Sequence, residues 1–200
     1  DKYEPDNYRY YINAWCPCGR HESLTHWRPF KNRIENFAQL FCVEPSKPEL
    51  GLNRNKTRSD FIIGVQIKGA NVSKSPSPDF VRELCVRLNQ VATVVTFDEY
   101  KKFSGIESYM SSSMSDIVDF ISSNVDIMVT PDSGLMHVAL SSNIPTVCLF
   151  GPTNGELTLK YYDNYILFQK LNSYGRCFRP CYYSCYNKFY CESRTGDCMN

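Results

Sequence analysis

Long apolar runs and clusters of like charge are both scarce in this 200-residue sequence. No segment approaches the roughly 18 apolar residues that a membrane span requires, and Asp1–Glu4 lacks the charged and apolar regions of a signal peptide. Lys and Arg total 22 against 21 Asp and Glu, with no basic run, so we expect no nucleic-acid partner. These features predict a soluble, cytoplasmic protein, with peripheral association with a membrane left open.

Cysteine, in contrast, is abundant, with ten residues in the chain. Five of them crowd the carboxyl-terminal region: Cys177, Cys181, Cys185, Cys191 and Cys198. Cys16 and Cys18 form a second small cluster. Cys42, Cys85 and Cys148 lie in apolar segments, where we expect buried thiols that pack as small hydrophobic groups.

The composition changes along the chain and predicts three parts. Residues 1–58 are rich in Tyr, Asn, Pro and charge, and their one helical apolar pattern is Ile34, Phe37, Ala38 and Phe41. Residues 59–170 alternate short apolar runs with amphipathic segments. Residues 171–200 form a cysteine-rich tail.

The middle part has the pattern of a doubly wound α/β domain. Strands are predicted at 61–67, 91–97, 125–130 and 145–150, with a fifth at 165–168. One helix follows the cap Ser77 and buries Phe80, Leu84, Cys85 and Leu88; another is capped by Ser115; a third covers 134–142. Nearly continuous apolar strands separated by helices indicate a parallel sheet that is covered on both faces.

Ligands of such sheets bind beyond the carboxyl ends of the strands, where this sequence has two distinctive loops. The first runs from Thr130 to His137: Asp132 or Ser133 can cap the following helix, and Gly134 lets a ligand approach the backbone. Free N–H groups at the helix start suit a pyrophosphate, and His137 can add a donor. An ordinary capped helix with a packed histidine is the alternative.

The second loop follows the next strand, at Gly151-Pro152-Thr153-Asn154-Gly155. It is rich in turn residues and is expected to lie beside the first loop, where a phosphate or sugar would bind. The two loops together therefore predict one crevice.

These paired motifs, 132–139 followed by 145–147 and 150–153, resemble the donor site of glycosyltransferase family 9, which includes the lipopolysaccharide heptosyltransferases. The resemblance covers roughly residues 61–200. It implies the carboxyl-terminal half of a two-domain GT-B fold, a Rossmann-like domain that binds a nucleotide diphosphate-sugar. Asp132, Ser133, Gly134 and His137 would lie at the diphosphate, and the loop at Gly151, Pro152 and Thr153 at the sugar or phosphate.

The resemblance also assigns residues after the first two strands. Lys74 matches the lysine that meets the donor phosphates, with Lys68 as the alternative, and no metal is then required for transfer. Asp98 or Glu99 would bind the ribose, although the glycine usual in this loop is missing. Met114 lies where the nucleotide base packs, or belongs to the core.

The cysteine-rich tail has a counterpart in many relatives of this family. Four of its thiolates could bind a structural zinc ion. The spacings match no standard zinc motif, so free thiols or disulfides remain alternatives, and Cys16 and Cys18 could join the same cluster.

The resemblance further implies a catalytic part that this sequence lacks. Family members use an acidic general base on an amino-terminal domain, whereas residues 1–58 are too few for such a domain and resemble its end, with a linker helix over His26–Cys42. We therefore expect either a fragment or subunit of a glycosyltransferase that acts on a saccharide or other hydroxyl acceptor, or a stand-alone nucleotide-sugar-binding module. A metal-binding interaction domain is the third alternative.

Overall fold

The computed structural model describes residues 32–52, 55–66, 68–69, 74–98, 105–169 and 199. The helices are α1 (Arg33–Phe41), α2 (Pro78–Leu88), α3 (Met114–Asn124), α4 (Gly134–Ser141) and α5 (Gly155–Leu159). The strands are β1 (Ile62–Val65), β2 (Thr93–Thr96), β3 (Glu107–Ser108), β4 (Ile127–Pro131), β5 (Thr146–Phe150) and β6 (Tyr165–Gln169).

The six strands form one sheet in the order β3-β2-β1-β4-β5-β6. All five neighbouring pairs are parallel, with Ile63 opposite both Val94 and Ile127. This is the Rossmann strand order, and the chain changes direction across the sheet between β1 and β4. The predicted doubly wound α/β fold is confirmed. The region beyond the carboxyl ends of β1 and β4, called the crevice below, is where ligands of such sheets bind.

The core lies on both faces of the sheet. On one face, α3 and α4 contribute Ile121, Leu135 and Ala139, which pack with Ile62 and Met128. On the opposite face, α2 contributes Val81 and Cys85, which pack with Ile63, Val65 and Val129. Successive residues of β1 thus enter different clusters, as the alternation of side chains along a strand requires.

The predicted start of α2 is confirmed. The Ser77 side chain caps the helix by accepting the Phe80 N–H, and Pro78 occupies the first turn. The predicted buried face is partly wrong, because Phe80 is exposed and Val81 is buried with Cys85. The buried stripe is centred on positions 81 and 85, one turn apart, and Phe80 lies about 100° away from Val81 around the helix.

Three local predictions differ from the structure. Helix α3 is capped by Ser113, whose side chain accepts the Asp116 N–H, so Ser115 lies inside the helix. Asn154 caps the short helix α5 where only a turn was predicted. Strand β3 was not predicted, because its two exposed residues, Glu107 and Ser108, give no apolar pattern.

Two of the three cysteines expected to be buried are confirmed. Cys85 and Cys148 are fully buried, and burial raises their pKa to about 11 and about 12. Both therefore remain protonated thiols at neutral pH. The prediction for Cys42 is wrong: this residue is exposed and ends α1 in the left-handed conformation, at φ 54°.

Helix α1 is shorter than the predicted linker helix, and His26 lies outside the described residues. A capping box begins α1. The Glu35 carboxylate accepts the Asn32 backbone N–H, and the Asn32 side chain accepts a backbone N–H of the first turn. The Asn32 side chain also donates to the Leu157 and Thr158 carbonyls, at 2.5 and 3.1 Å. Of its apolar pattern, Ala38 is buried whereas Phe37 and Phe41 are exposed, so polar contacts hold α1 to α5.

No helix in the described ranges is long and apolar enough to cross a membrane.

Candidate functional site

The crevice between β1 and β4 is bordered by the start of α4. After β4 the chain passes through Asp132 and Ser133, and Ser133 is extended, at φ −154° and ψ 171°. Its hydroxyl accepts the Met136 N–H at 3.4 Å, so Ser133 is the cap of the two candidates. The first turn of α4 thus presents backbone N–H groups and the positive end of the helix dipole beside the crevice.

Gly134, the first residue of α4, is open to its surroundings. A Cβ built on it would have no atom of the described residues within 4 Å, in contrast to Gly155, where a Cβ would lie 2.5 Å from Leu167 Cδ1. Packing therefore explains a glycine at 155 but not at 134. The open space above Gly134 is the approach that a ligand would use to reach the backbone.

Three loops meet at the carboxylate of Asp132. Lys74, from the loop after β1, places Nζ 2.5 Å from Asp132 Oδ2, and both side chains are 15% exposed. Thr153, from the loop after β5, donates its hydroxyl to the same oxygen at 2.7 Å. The structure therefore brings together the two loops expected to share a crevice. The alternative lysine, Lys68, is exposed, and its backbone N–H donates to the Asp98 carboxylate at 3.1 Å.

The Asp132 carboxylate accepts from donors of two other loops. An ionised carboxylate accepts hydrogen bonds and carries negative charge, so by itself it repels a phosphate. Here it holds the Lys74 ammonium and the Thr153 hydroxyl next to the N-terminal end of α4.

Gln66, at the end of β1, joins the crevice from the other side and was missed in the sequence. Its side-chain oxygen accepts the hydroxyls of Ser133, in a short contact, and of Thr130, at 3.0 Å. Its side-chain amide donates to the Lys68 carbonyl at 3.0 Å. One side chain thus links the loop after β1 to the cap of α4. A lone amide in an otherwise apolar strand was the available signal.

His137 lies one turn inside α4, next to a tyrosine that was also missed. Its Nδ1 is 3.2 Å from the hydroxyl of Tyr162, which is 7% exposed. Burial lowers the pKa of His137; the Asp132 carboxylate opposes this, and the positive charges of Arg33 and Lys74 add to it. The lowered pKa favours the neutral imidazole.

The loop 151–153 is buried and fixed by Gln169, the last residue of β6. The Gln169 side-chain amide donates to the Gly151 carbonyl at 3.1 Å and, in a short contact, to the Thr153 carbonyl. Its side-chain oxygen accepts the Gly155 N–H at 3.0 Å. Gly151, Pro152 and Thr153 thus form a rigid wall of the crevice.

The positions expected at a ribose and a base lie on the β2–β3 side of the sheet. Asp98 follows β2; its carboxylate accepts the Lys68 N–H, and its carbonyl accepts the Ser108 hydroxyl at 3.2 Å. Glu99 lies outside the described residues. Met114 is 63% exposed at the start of α3, which rules out the alternative that it belongs to the core.

Cys16, Cys18 and the five tail cysteines, from Cys177 to Cys198, lie outside the described residues. Within the part of the chain that the structure describes, no three His, Cys, Asp or Glu side chains are grouped so as to hold a metal ion.

Comparison with known families points to the same motifs. Residues 112–187 match the model of glycosyltransferase family 9 (heptosyltransferase). The matched span contains Asp132, His137 and the loop 151–153, so the resemblance predicted from these motifs is confirmed. No curated protein sequence matches the chain.

Solved structures with a similar fold include three transferases. The iron-containing dodecameric glycosyltransferase TibC of enterotoxigenic E. coli H10407 is 14% identical, with a TM-score of 0.64 over 84% of this chain and 49% of its own. A family 9 glycosyltransferase of Veillonella parvula DSM 2008 is 18% identical, with a TM-score of 0.56 over 70% of this chain and 49% of its own.

The third is the heptosyltransferase WaaC of E. coli, solved with ADP-2-deoxy-2-fluoro heptose. It is 16% identical, with a TM-score of 0.52 over 68% of this chain and 48% of its own. The chain thus spans about half the length of each of these structures. The likeness shows a shared Rossmann-like α/β fold.

Proposed function

We propose that residues 59–170 bind the nucleotide diphosphate-sugar donor of an inverting, heptosyltransferase-like glycosyltransferase. The diphosphate would lie in the crevice between β1 and β4, against the first turn of α4. The observation that carries the proposal is the junction at Asp132, where Lys74 and Thr153 from two other loops meet beside that helix start. Lys74 supplies a cation, and the first turn of α4 supplies backbone N–H donors, where a dianionic ligand needs them.

Each group has a part in the proposed chemistry. During transfer, an acceptor hydroxyl forms a bond to the anomeric carbon, the bond from that carbon to the phosphate oxygen breaks, and a general base takes the hydroxyl proton. The nucleoside diphosphate leaves with additional negative charge. Lys74 and the α4 N–H groups would stabilise that charge, so transfer would not require a metal ion.

The ligands of two similar structures indicate which donor to test first. WaaC was solved with ADP-2-deoxy-2-fluoro heptose, and TibC in complex with ADP-D-beta-D-heptose. We accordingly propose an adenosine diphosphate-linked sugar. Asp98 would bind its ribose, because a carboxylate can accept hydrogen bonds from two neighbouring hydroxyls. The base would pack beside the exposed Met114.

Catalysis would need a second part. No residue of the described ranges is assigned as the general base. The acceptor, a saccharide or another hydroxyl compound, would bind where that base lies. We propose that an amino-terminal domain or a partner subunit supplies both. If no such part exists, the chain would act as a nucleotide-sugar-binding module without transfer activity.

We also propose that the cysteine-rich tail binds one structural metal ion. The thiolates of Cys177, Cys181, Cys185, Cys191 and Cys198 are donors that zinc and iron both accept, and zinc is the first candidate. Elemental analysis of the purified chain, with thiol titration before and after chelation, tests this. About one equivalent of metal supports it, whereas metal-free protein with all thiols titratable contradicts it.

Calorimetric titration of the full chain with ADP, GDP and UDP and their linked sugars tests the donor-site proposal. We expect saturable binding of one nucleotide class and a large loss of affinity in Asp132→Ala and His137→Ala. Failure to bind any nucleotide would contradict both the transferase and the binding-module proposals. Sugar transfer by this chain alone would contradict the assignment of the base to another part.

A further inference from the structure

Tyr162 is placed where it can control the chemistry of His137. It follows α5 and packs in a buried cluster with Met136, Leu140, Phe150 and Leu159. Its N–H donates to the Leu159 carbonyl at 2.8 Å, which fixes the backbone. Its ring lies 5.9 Å from the His137 ring, and its hydroxyl is 3.2 Å from Nδ1.

We propose that Tyr162 is a positioning residue that donates its hydroxyl proton to His137 Nδ1 and so keeps the imidazole proton on Nε2. The N–H at Nε2 would then donate a hydrogen bond to the diphosphate of the donor. This inference rests on the proposed function and adds a residue to its site.

The tautomer matters because a neutral imidazole has only one N–H. If that proton is on Nε2, the histidine presents a donor to an anionic oxygen. If it is on Nδ1, Nε2 presents a lone pair, which a phosphate oxygen would avoid. The hydrogen bond made by one ring nitrogen decides the state of the other.

The groups around His137 favour the neutral form. Burial is the largest influence and lowers the pKa of His137, while Asp132 raises it and Arg33 and Lys74 lower it further. Tyr162 adds no charge, because burial raises the pKa of its phenol. A charged imidazolium, which would donate from both nitrogens and make the tautomer irrelevant, is therefore disfavoured in the ligand-free protein.

Nitrogen-15 NMR of the full chain, labelled in its three histidines, reports the tautomer directly. We expect His137 to be neutral with the proton on Nε2 at pH 7.5, with its signals assigned through His137→Gln. In Tyr162→Phe the tautomer should shift towards Nδ1–H, and ADP should bind about tenfold more weakly, as for loss of one hydrogen bond to a charged group.

Tyr161→Phe is the matched control. It removes a phenolic hydroxyl one residue away, which bonds to Glu35 at 3.1 Å and not to the crevice. It should leave the His137 signals and ADP affinity unchanged.

A wild-type His137 with its proton on Nδ1, or an unchanged tautomer in Tyr162→Phe, would overturn the inference. Because the tautomer is measured without ligand, the wild-type spectrum decides even if the Phe variant does not fold. Failure of the wild-type chain to bind any nucleotide would instead contradict the proposed function. Calorimetric titration detects that failure independently of the NMR measurement.

Discussion

Lys74 and Asp132 form an ion pair beside the start of α4, with Nζ 2.5 Å from Oδ2. The two residues are 58 positions apart and lie in loops after different strands. Each side chain is 15% exposed, so the pair is partly shielded from water and its geometry is more defined than that of a surface pair. The pair fixes the position of the Lys74 ammonium relative to the start of α4.

Lys74→Met should weaken ADP binding about 10- to 100-fold, because it removes a cation from a contact with phosphate. Calorimetric titration measures the effect. Lys68→Met is the matched control, since Lys68 is exposed and its side chain is not part of the pair. Equal losses in the two variants would contradict the choice of Lys74.

Gln66→Met should destabilise the fold by about 1–2 kcal/mol. The variant keeps the side-chain length but leaves the Ser133 and Thr130 hydroxyls without their shared acceptor. Urea unfolding provides the measurement. Gln90→Met, at an exposed turn after α2, serves as the control and should change stability by less than about 0.5 kcal/mol. Similar losses at both positions would show that the Gln66 network contributes nothing.

Ser113→Ala should cost about 1 kcal/mol, since it removes the cap of α3. Ser115→Ala, inside the same helix and exposed, should be neutral or stabilising by up to about 0.5 kcal/mol, because alanine has the higher helix propensity. Thermal unfolding of the two variants compares them directly. The reverse order would place the helix start at Ser115.

The burial of His137 predicts a pH dependence of stability. The pKa of His137 in the folded chain lies below 6.5, its ordinary value in the unfolded chain. At a pH between the folded and the unfolded pKa, the unfolded chain binds more protons than the folded chain. The free energy of unfolding should therefore fall as the pH decreases below about 6.5, the ordinary pKa of histidine.

His137→Gln should lack this pH-dependent part of the free energy of unfolding. The difference in free energy of unfolding between the wild-type chain and His137→Gln should therefore not be the same at pH 5.5 as at pH 7.5. Urea unfolding at both values tests it. Carboxylates with lowered pKa, such as Glu35, lose their contribution only as the pH falls below the ordinary carboxyl range, which is a separate and more acidic window. Parallel pH profiles of the two proteins would refute the assignment to His137.

The sequence predicted the parts of the site that follow from strand order. Parallel strands bring their carboxyl ends to one edge, so the loops at 132–134 and 151–153 had to be neighbours once the strands were placed. Ser77 and Pro78 are strong local signals and predicted the start of α2 correctly. The family motifs added Lys74, which the structure joins to Asp132.

Residues that act through long-range contacts were not predicted. Tyr162 is one of 14 tyrosines, and no local pattern sets it apart. The contact of Gln66 with Ser133 depends on the register between β1 and β4. The Asn32 side chain reaches the carbonyls of α5 across 125 positions. Such contacts are consequences of tertiary packing and do not appear as a periodicity.

Gly134 provides the most direct test of the claim that a diphosphate binds at the start of α4. A side chain there would occupy open space in the ligand-free fold and would block the approach to the backbone N–H groups. Calorimetric titration with ADP should show binding by the wild-type chain and at least a tenfold loss in Gly134→Val, with the melting temperature nearly unchanged. Undiminished ADP affinity in Gly134→Val, or no ADP binding by the wild-type chain, would contradict the account.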